Sequence, residues 1–137
     1  MLYCPLCAMN PKNHSLKFLK EENGVLYFYS CPGEALMYFD VEGILYHYDN
    51  VFSEIPRDKE WVWIFDASGF GLKHVLTPQV GTRLAQLITE KYGDNLKEVL
   101  VYGFSSYVSA MYNIIKPFLS KKIQSVVRFK SDAYSSN

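Results

Sequence analysis

Three cysteines in a chain of 137 residues are too few, and an odd number, for a disulfide framework. A reducing, cytoplasmic setting is the expectation. The first twenty residues hold no apolar run, so no secretory signal is read there. No stretch reaches the ~20 apolar residues of a membrane-spanning helix; "WVWIF" at 61–65 is short and strand-like. Neither sign of charge is in excess: 14 Lys and Arg balance 14 Asp and Glu, which argues against bulk attraction to nucleic acid. Phosphate-loop signatures are missing, with no GxxxxGK[ST] and no GxGxxG. An enzyme built on Asp66, Ser68 and His74 would lack a nucleophile elbow, and no nucleophile, base and orienting group occur together. No enzymatic activity is expected.

What the chain has instead is aromatic mass. Hydrophobic residues make up 49% and aromatics 16%, with 11 Tyr and 9 Phe, so a globular domain with a sizeable core is expected. Aromatics in such number either fill that core or line a pocket. The charge is unevenly spread. After Glu98 the sole acid is Asp132, against Lys116, Lys121, Lys122, Arg128 and Lys130.

Near the start, "LKFLKEENGVLYFYSC" places two β-rich runs around Asn23-Gly24, the strongest short hairpin signal. With those residues as the turn, Glu22 pairs with Val25 and Leu16 faces Cys31. His14 and Cys31 then share the open end, just downstream of "CPLC". Cys4, Cys7, His14 and Cys31 together have the residue types and spacing of a structural zinc knuckle. The competing reading leaves Cys4 and Cys7 as free thiols and packs Cys31 in the sheet.

The middle reads as alternating helix and strand. "GEALMYFDVEGILYHYDNVFSEI" has Leu36, Phe39, Ile44, Tyr48, Val51 and Phe52 at helical spacing, interrupted at Gly43 and ended by Pro56. His47 on it reads as a packed or surface histidine. Trp61 to Phe65 is a continuous apolar run typical of a strand buried on both faces, with Asp66 at its end and a Gly-containing loop beyond. Thr77-Pro78 opens a helix carrying Val80, Leu84, Leu87 and Ile88 on one face, closed by Gly93-Asp94-Asn95. "LKEVLVYGF" is a second buried strand, "SYVSAMYNIIKPFL" an amphipathic helix bent or stopped at Pro117, and "KIQSVVRFK" a third β-rich run. This order predicts an α/β fold with parallel pairing.

"WVWIFDASGFG", a helix, "LKEVLVYGF" and "AMYNIIKPFLSKKI", in that order over about residues 60–130, resemble the lipid-binding domain of the CRAL-TRIO family. The resemblance implies a mixed, partly parallel sheet as the floor of an apolar pocket, with a gate helix as its lid. Residues 1–34 would be the cysteine-containing knuckle and hairpin of the same domain, and 35–137 the CRAL-TRIO-like part. Carried onto this chain, the floor is Val62, Ile64, Val99 and Val101. The lid is Phe104, Tyr107, Val108, Met111, Tyr112, Ile115 and Phe118, with Pro117 as its hinge. Lys121 and Lys122 would meet anionic membrane headgroups. The chain also departs from the pattern. Gly103 and Ser105 stand where the family usually has Asn and Pro. Ile123 and Val126 occupy the Thr and Lys positions of phosphoinositide-binding members, so that headgroup chemistry does not carry over. Nothing in these 137 residues corresponds to the helical domain that often precedes this one, or to the usual tail after the last strand.

Binding or transfer of a small lipophilic ligand (a lipid, fatty acid or sterol-like molecule) is therefore the leading expectation, with weak contact to anionic membranes. A protein-interaction scaffold without a pocket, acting through a protein partner, is the alternative. A zinc-ribbon nucleic-acid module is disfavoured because the basic residues lie far along the chain from "CPLC".

Overall fold

The computed structural model describes residues 15–36 and 38–135. Five strands form one sheet in sequence order. They are β1 (Lys17–Glu22), β2 (Val25–Ser30), β3 (Trp61–Asp66), β4 (Leu96–Tyr102) and β5 (Val127–Lys130). The β1–β2 pair is antiparallel and the other three pairs are parallel. The helices are α1 (Val41–Phe52), the single turn α2 (Leu72–Val75), α3 (Pro78–Leu87), α4 (Ser106–Ile115) and α5 (Lys121–Val126). The fold is thus mixed α/β with a partly parallel sheet.

The hairpin turn has Asn23 at φ 54° and Gly24 at φ 79°, the left-handed pair that a tight two-residue turn requires. Glu22 pairs with Val25, as the sequence implies, but the register slips by one between Phe18 and Lys20. Lys17 therefore faces Tyr29, and the open end sits one residue away from the expected pairing of Leu16 with Cys31. A bulge inserts one unpaired residue, here Leu19, and shifts the pairing beyond it by one.

Two predicted elements change shape. The first helix begins later than its apolar spacing suggests, because the Asp40 side chain accepts the Gly43 N–H at 3.1 Å and caps it. Leu36 and Phe39 fall outside that helix, on the surface. The expected third run divides: the Ser120 hydroxyl caps α5 by accepting the Ile123 N–H at 3.2 Å, and only Val127–Lys130 is strand. Thr77 precedes Pro78 as expected, yet its hydroxyl donates to the Lys73 carbonyl at 3.1 Å instead of capping α3.

Every parallel crossover steps the same way along the sheet. Right-handed crossovers that never reverse direction place their helices on one face. The packing agrees. Ile44, Tyr48 and Phe52 of α1, Val80 and Leu84 of α3, and Ile123 of α5 pack with Phe28, Trp61, Trp63 and Leu96. On the opposite face, Val25, Val62 and Ile64 form a separate cluster covered by Leu19, Tyr27, Tyr29, Leu100, Tyr102 and Tyr134.

Candidate functional site

Between the sheet and its helices lies a cavity of about 130 Å³ with an almost wholly apolar wall. Its floor is Trp63 and Phe65 of β3, Val99 and Val101 of β4, and Val127 and Phe129 of β5. Alternation along a strand explains the choice: Trp61, Trp63 and Phe65 share one face, and Val62 and Ile64 must share the other. The expected floor is half corrected. Val99 and Val101 line the cavity; Val62 and Ile64 point to the far face, where they are buried among strand residues. A strand buried on both faces hides its parity, and an error of one residue moves every side chain to the other side. Asp66 carried the missing signal. It shares parity with Val62 and Ile64, and its carboxylate accepts from the Tyr29 hydroxyl at 2.7 Å on that far face.

The lid is corrected in the same way. Val108, Met111, Tyr112 and Ile115 recur at helical spacing on α4 and line the cavity. Phe104, Tyr107 and Phe118 do not; all three are exposed. Phe104 precedes α4, Tyr107 is one residue off its inward stripe, and Phe118 sits in the 3-10 turn Lys116–Phe118 that follows. Pro117 is part of that turn. Ser105 caps α4 by accepting the Val108 N–H at 3.3 Å, and Gly103 has φ 75°. A backbone in this left-handed region favours glycine.

Sequence reasoning missed the rest of the wall. Ile44 and Tyr48 of α1, Val80, Gly81, Leu84 and Ala85 of α3, and Ile88, Leu119 and Ile123 all contribute. Gly81 was the readable hint, a glycine inside an amphipathic helix. A Cβ there would lie 3.0 Å from Ile115 Cγ2 and 3.2 Å from Met111 Sδ, so a larger residue would push those two side chains back by a few tenths of an ångström. Pro32, Ala35, Tyr38 and Phe70 complete one end.

That end is held by His74, which is fully buried. Its ring stacks on Phe70 at 4.8 Å and meets Tyr38 edge-on at 4.6 Å. Nδ1 accepts the Gly71 N–H at 2.9 Å, which leaves Nε2 to donate to the Pro32 carbonyl at 3.3 Å. Burial holds the imidazole below its ordinary pKa, and that hydrogen-bond pattern needs the neutral form. With both nitrogens engaged by backbone, His74 makes no contact that would activate Ser68. The Asp66 carboxylate is engaged as well, by Tyr29 and by the Ser68 N–H at 3.0 Å.

Cys4, Cys7 and His14 of the expected zinc knuckle lie outside the described residues. Cys31 is a free, buried thiol, 3.6 Å from the Ser68 carbonyl, and burial raises its pKa. Its backbone N–H donates to the Ser15 hydroxyl at 2.6 Å, and that hydroxyl donates to its carbonyl at 2.7 Å. Among the described residues no group of three or more His, Cys, Asp or Glu side chains converges for a metal.

Lys121 and Lys122 are exposed in the first turn of α5, with Lys122 donating to the Asp94 carbonyl. Four large apolar side chains are also exposed near the His74 end. Leu36 and Phe39 flank Tyr38, and Leu72 and Leu76 flank His74; Phe39 and Leu76 are the most open, at 72% and 71%. Among the described residues no helix is long and apolar enough to cross a membrane.

A partly parallel sheet roofed by helices over an apolar cavity is an architecture suited to holding apolar ligands. Comparison with known families agrees: the CRAL/TRIO domain matches residues 2–137, and the chain belongs to that family. The match includes the hairpin as well as the strand–helix pattern of the C-terminal part. The family is one of lipophilic-ligand binding and transfer.

Proposed function

We propose that this chain binds a small lipophilic molecule non-enzymatically in the cavity beneath α4 and exchanges it with membranes. The observation that carries this reading is the cavity itself, almost wholly apolar among the described residues and roofed by one stripe of α4. Closely packed interiors leave few voids larger than a water molecule, so about 130 Å³ exceeds an ordinary packing void. Engineered apolar cavities of roughly 150 Å³ stay dry and admit benzene-sized molecules. The space as it stands suits a fused ring or the end of an acyl chain. A whole lipid requires the α4 stripe to move outward.

Native mass spectrometry of purified protein tests this. The expected spectrum contains an adduct of lipophile mass, removed by activation and restored by offering a lipid extract. Protein that carries none and takes up none would leave the scaffold reading. The same spectrum checks the structural zinc that we propose at Cys4, Cys7, His14 and Cys31: one metal is expected, lost in mild acid as the thiolates protonate.

Contact with membranes is supported by the exposed Leu36, Phe39, Leu72 and Leu76 beside one end of the cavity, and by Lys121 and Lys122. Juxtamembrane lysines contribute about 1 kcal/mol each towards anionic lipid. Reversing both charges (Lys121→Glu, Lys122→Glu) is expected to weaken binding to anionic vesicles by about tenfold or more, with the difference shrinking as salt rises. Equal binding by variant and parent would assign these lysines to solubility.

A further inference from the structure

The α4 roof of the cavity is fastened at both ends. Ahead of α4, Gly103 and Phe104 donate their N–H groups to the carbonyls of Asp132 at 2.9 Å and Lys130 at 3.1 Å. Beyond it, the Thr89 hydroxyl donates to the Phe118 carbonyl at 3.1 Å and accepts the Ser120 N–H at 3.3 Å. Gln124 Nε2 donates to the carbonyls of Lys116 at 3.3 Å and Leu119 at 3.0 Å. Pro117 sits inside this fastened stretch and is poorly placed to act as a hinge.

The His74 end is a seam. Two leaves meet there, residues 31–40 ahead of α1 and residues 67–76 ahead of α3, and they supply Pro32, Ala35, Tyr38 and Phe70 to the cavity wall. Among the described residues neither leaf contains strand, and their helices are single turns, Pro32–Glu34 and α2. Across the seam, His74 Nε2 donates to the Pro32 carbonyl at 3.3 Å, longer than the usual range, and the Cys31 thiol lies 3.6 Å from the Ser68 carbonyl. Gly33 lets the leaves touch: a Cβ there would overlap the Ser68 carbonyl oxygen and lie 2.8 Å from the Gly69 carbonyl carbon. Segments joined by so few bonds open locally at lower cost than packed helices do.

We propose that the cavity loads and empties through this seam: the two leaves part, with the His74 hydrogen bonds as their latch, while α4 stays in place. The proposal rests on the ligand-binding reading and adds a route to it. A ligand of the size this space holds would emerge beside Leu36, Phe39, Leu72 and Leu76, the exposed apolar side chains that the same leaves carry. An apolar rim there lessens the ligand's exposure to water as it passes.

Stopped-flow exchange of 2-naphthalenemethanol on the full chain, with Kd from titration, tests the route. Gly33, His74 and Thr89 do not line the cavity, so altering them removes no ligand contact. Gly33→Ala sets a methyl group against backbone and wedges the leaves apart; association and dissociation are both expected to quicken about tenfold, with Kd kept within about threefold. His74→Leu keeps a buried apolar side chain but removes two neutral hydrogen bonds, which is expected to quicken both rates about tenfold. Thr89→Val removes as many hydrogen bonds from the end of α4 and is expected to leave both rates within about twofold of the parent. A folded Gly33→Ala or His74→Leu protein that exchanges as the parent does would overturn the proposal, as would faster exchange by Thr89→Val. Faster dissociation with unchanged association would also overturn it, because that marks weaker holding and not a wider entrance. Should Gly33→Ala not fold, His74→Leu against Thr89→Val still decides. Absence of saturable binding by the parent would instead overturn the ligand-binding reading, and the route with it.

Discussion

Met111→Trp is expected to abolish binding of an apolar probe while leaving the protein folded. Met111 lies on the inward stripe of α4, buried, with its sulfur close to Gly81 across the helix contact. In a fully packed core, added volume forces side chains off their rotamers and costs about 1–3 kcal/mol. Here about 130 Å³ of open space adjoins the side chain, so the indole has room and the stability cost should be at the low end of that range or below it. The room it takes is the ligand's. Loss of affinity of about a hundredfold is expected, read by probe titration beside a thermal melt. A Met111→Trp protein that melts far below the parent, while the parent binds no probe, would mean that the stripe fills a core.

Phe52→Ala should show the reverse. Phe52 has no exposed surface and sits among five aromatic rings: Phe28 at 5.5 Å, Tyr48 at 5.9 Å, Trp61 at 4.6 Å, Trp63 at 5.8 Å and Tyr92 at 5.7 Å. Removing a buried phenyl ring costs about 3–5 kcal/mol, the transfer free energy plus the void left behind. That is a large part of the stability of a domain this size. Phe52 does not line the cavity, so protein that remains folded should keep its probe affinity within about threefold. Chemical denaturation would measure the loss. A cost below about 1 kcal/mol would show that α1 is not anchored to the sheet at this point.

The contrast between these residues shows which features were legible in the sequence. Met111 and Ile115 announced themselves by helical spacing, and the hairpin by Asn23-Gly24. The apolar runs at 61–65 and 99–101 marked central strands, and the order of pieces gave the sheet its parallel pairing. What failed was parity and phase. Val62 and Ile64 looked the same as Trp63 and Phe65, because hydrophobicity cannot tell the two faces of a strand apart when both are covered. Tyr107 is as aromatic as Tyr112 but one residue from the inward stripe. Ser120 and Asp40 each start a helix by a single side-chain cap, a local hydrogen bond that outweighed the β-branched or apolar pattern around it. The wall supplied by Pro32, Tyr38 and Phe70 was out of reach for another reason. It depends on a contact between loops far apart in sequence, held by His74, and no periodicity encodes it.

The most direct test of the cavity as a ligand site is an isotope-filtered NMR titration of the protein with 2-naphthalenemethanol. The expected result is saturation at one probe per chain, with intermolecular contacts from the naphthyl protons to the side-chain methyl groups of Val101, Met111 and Ile115. No saturable binding, or contacts confined to Leu36, Leu72 and Leu76 on the surface, would contradict it.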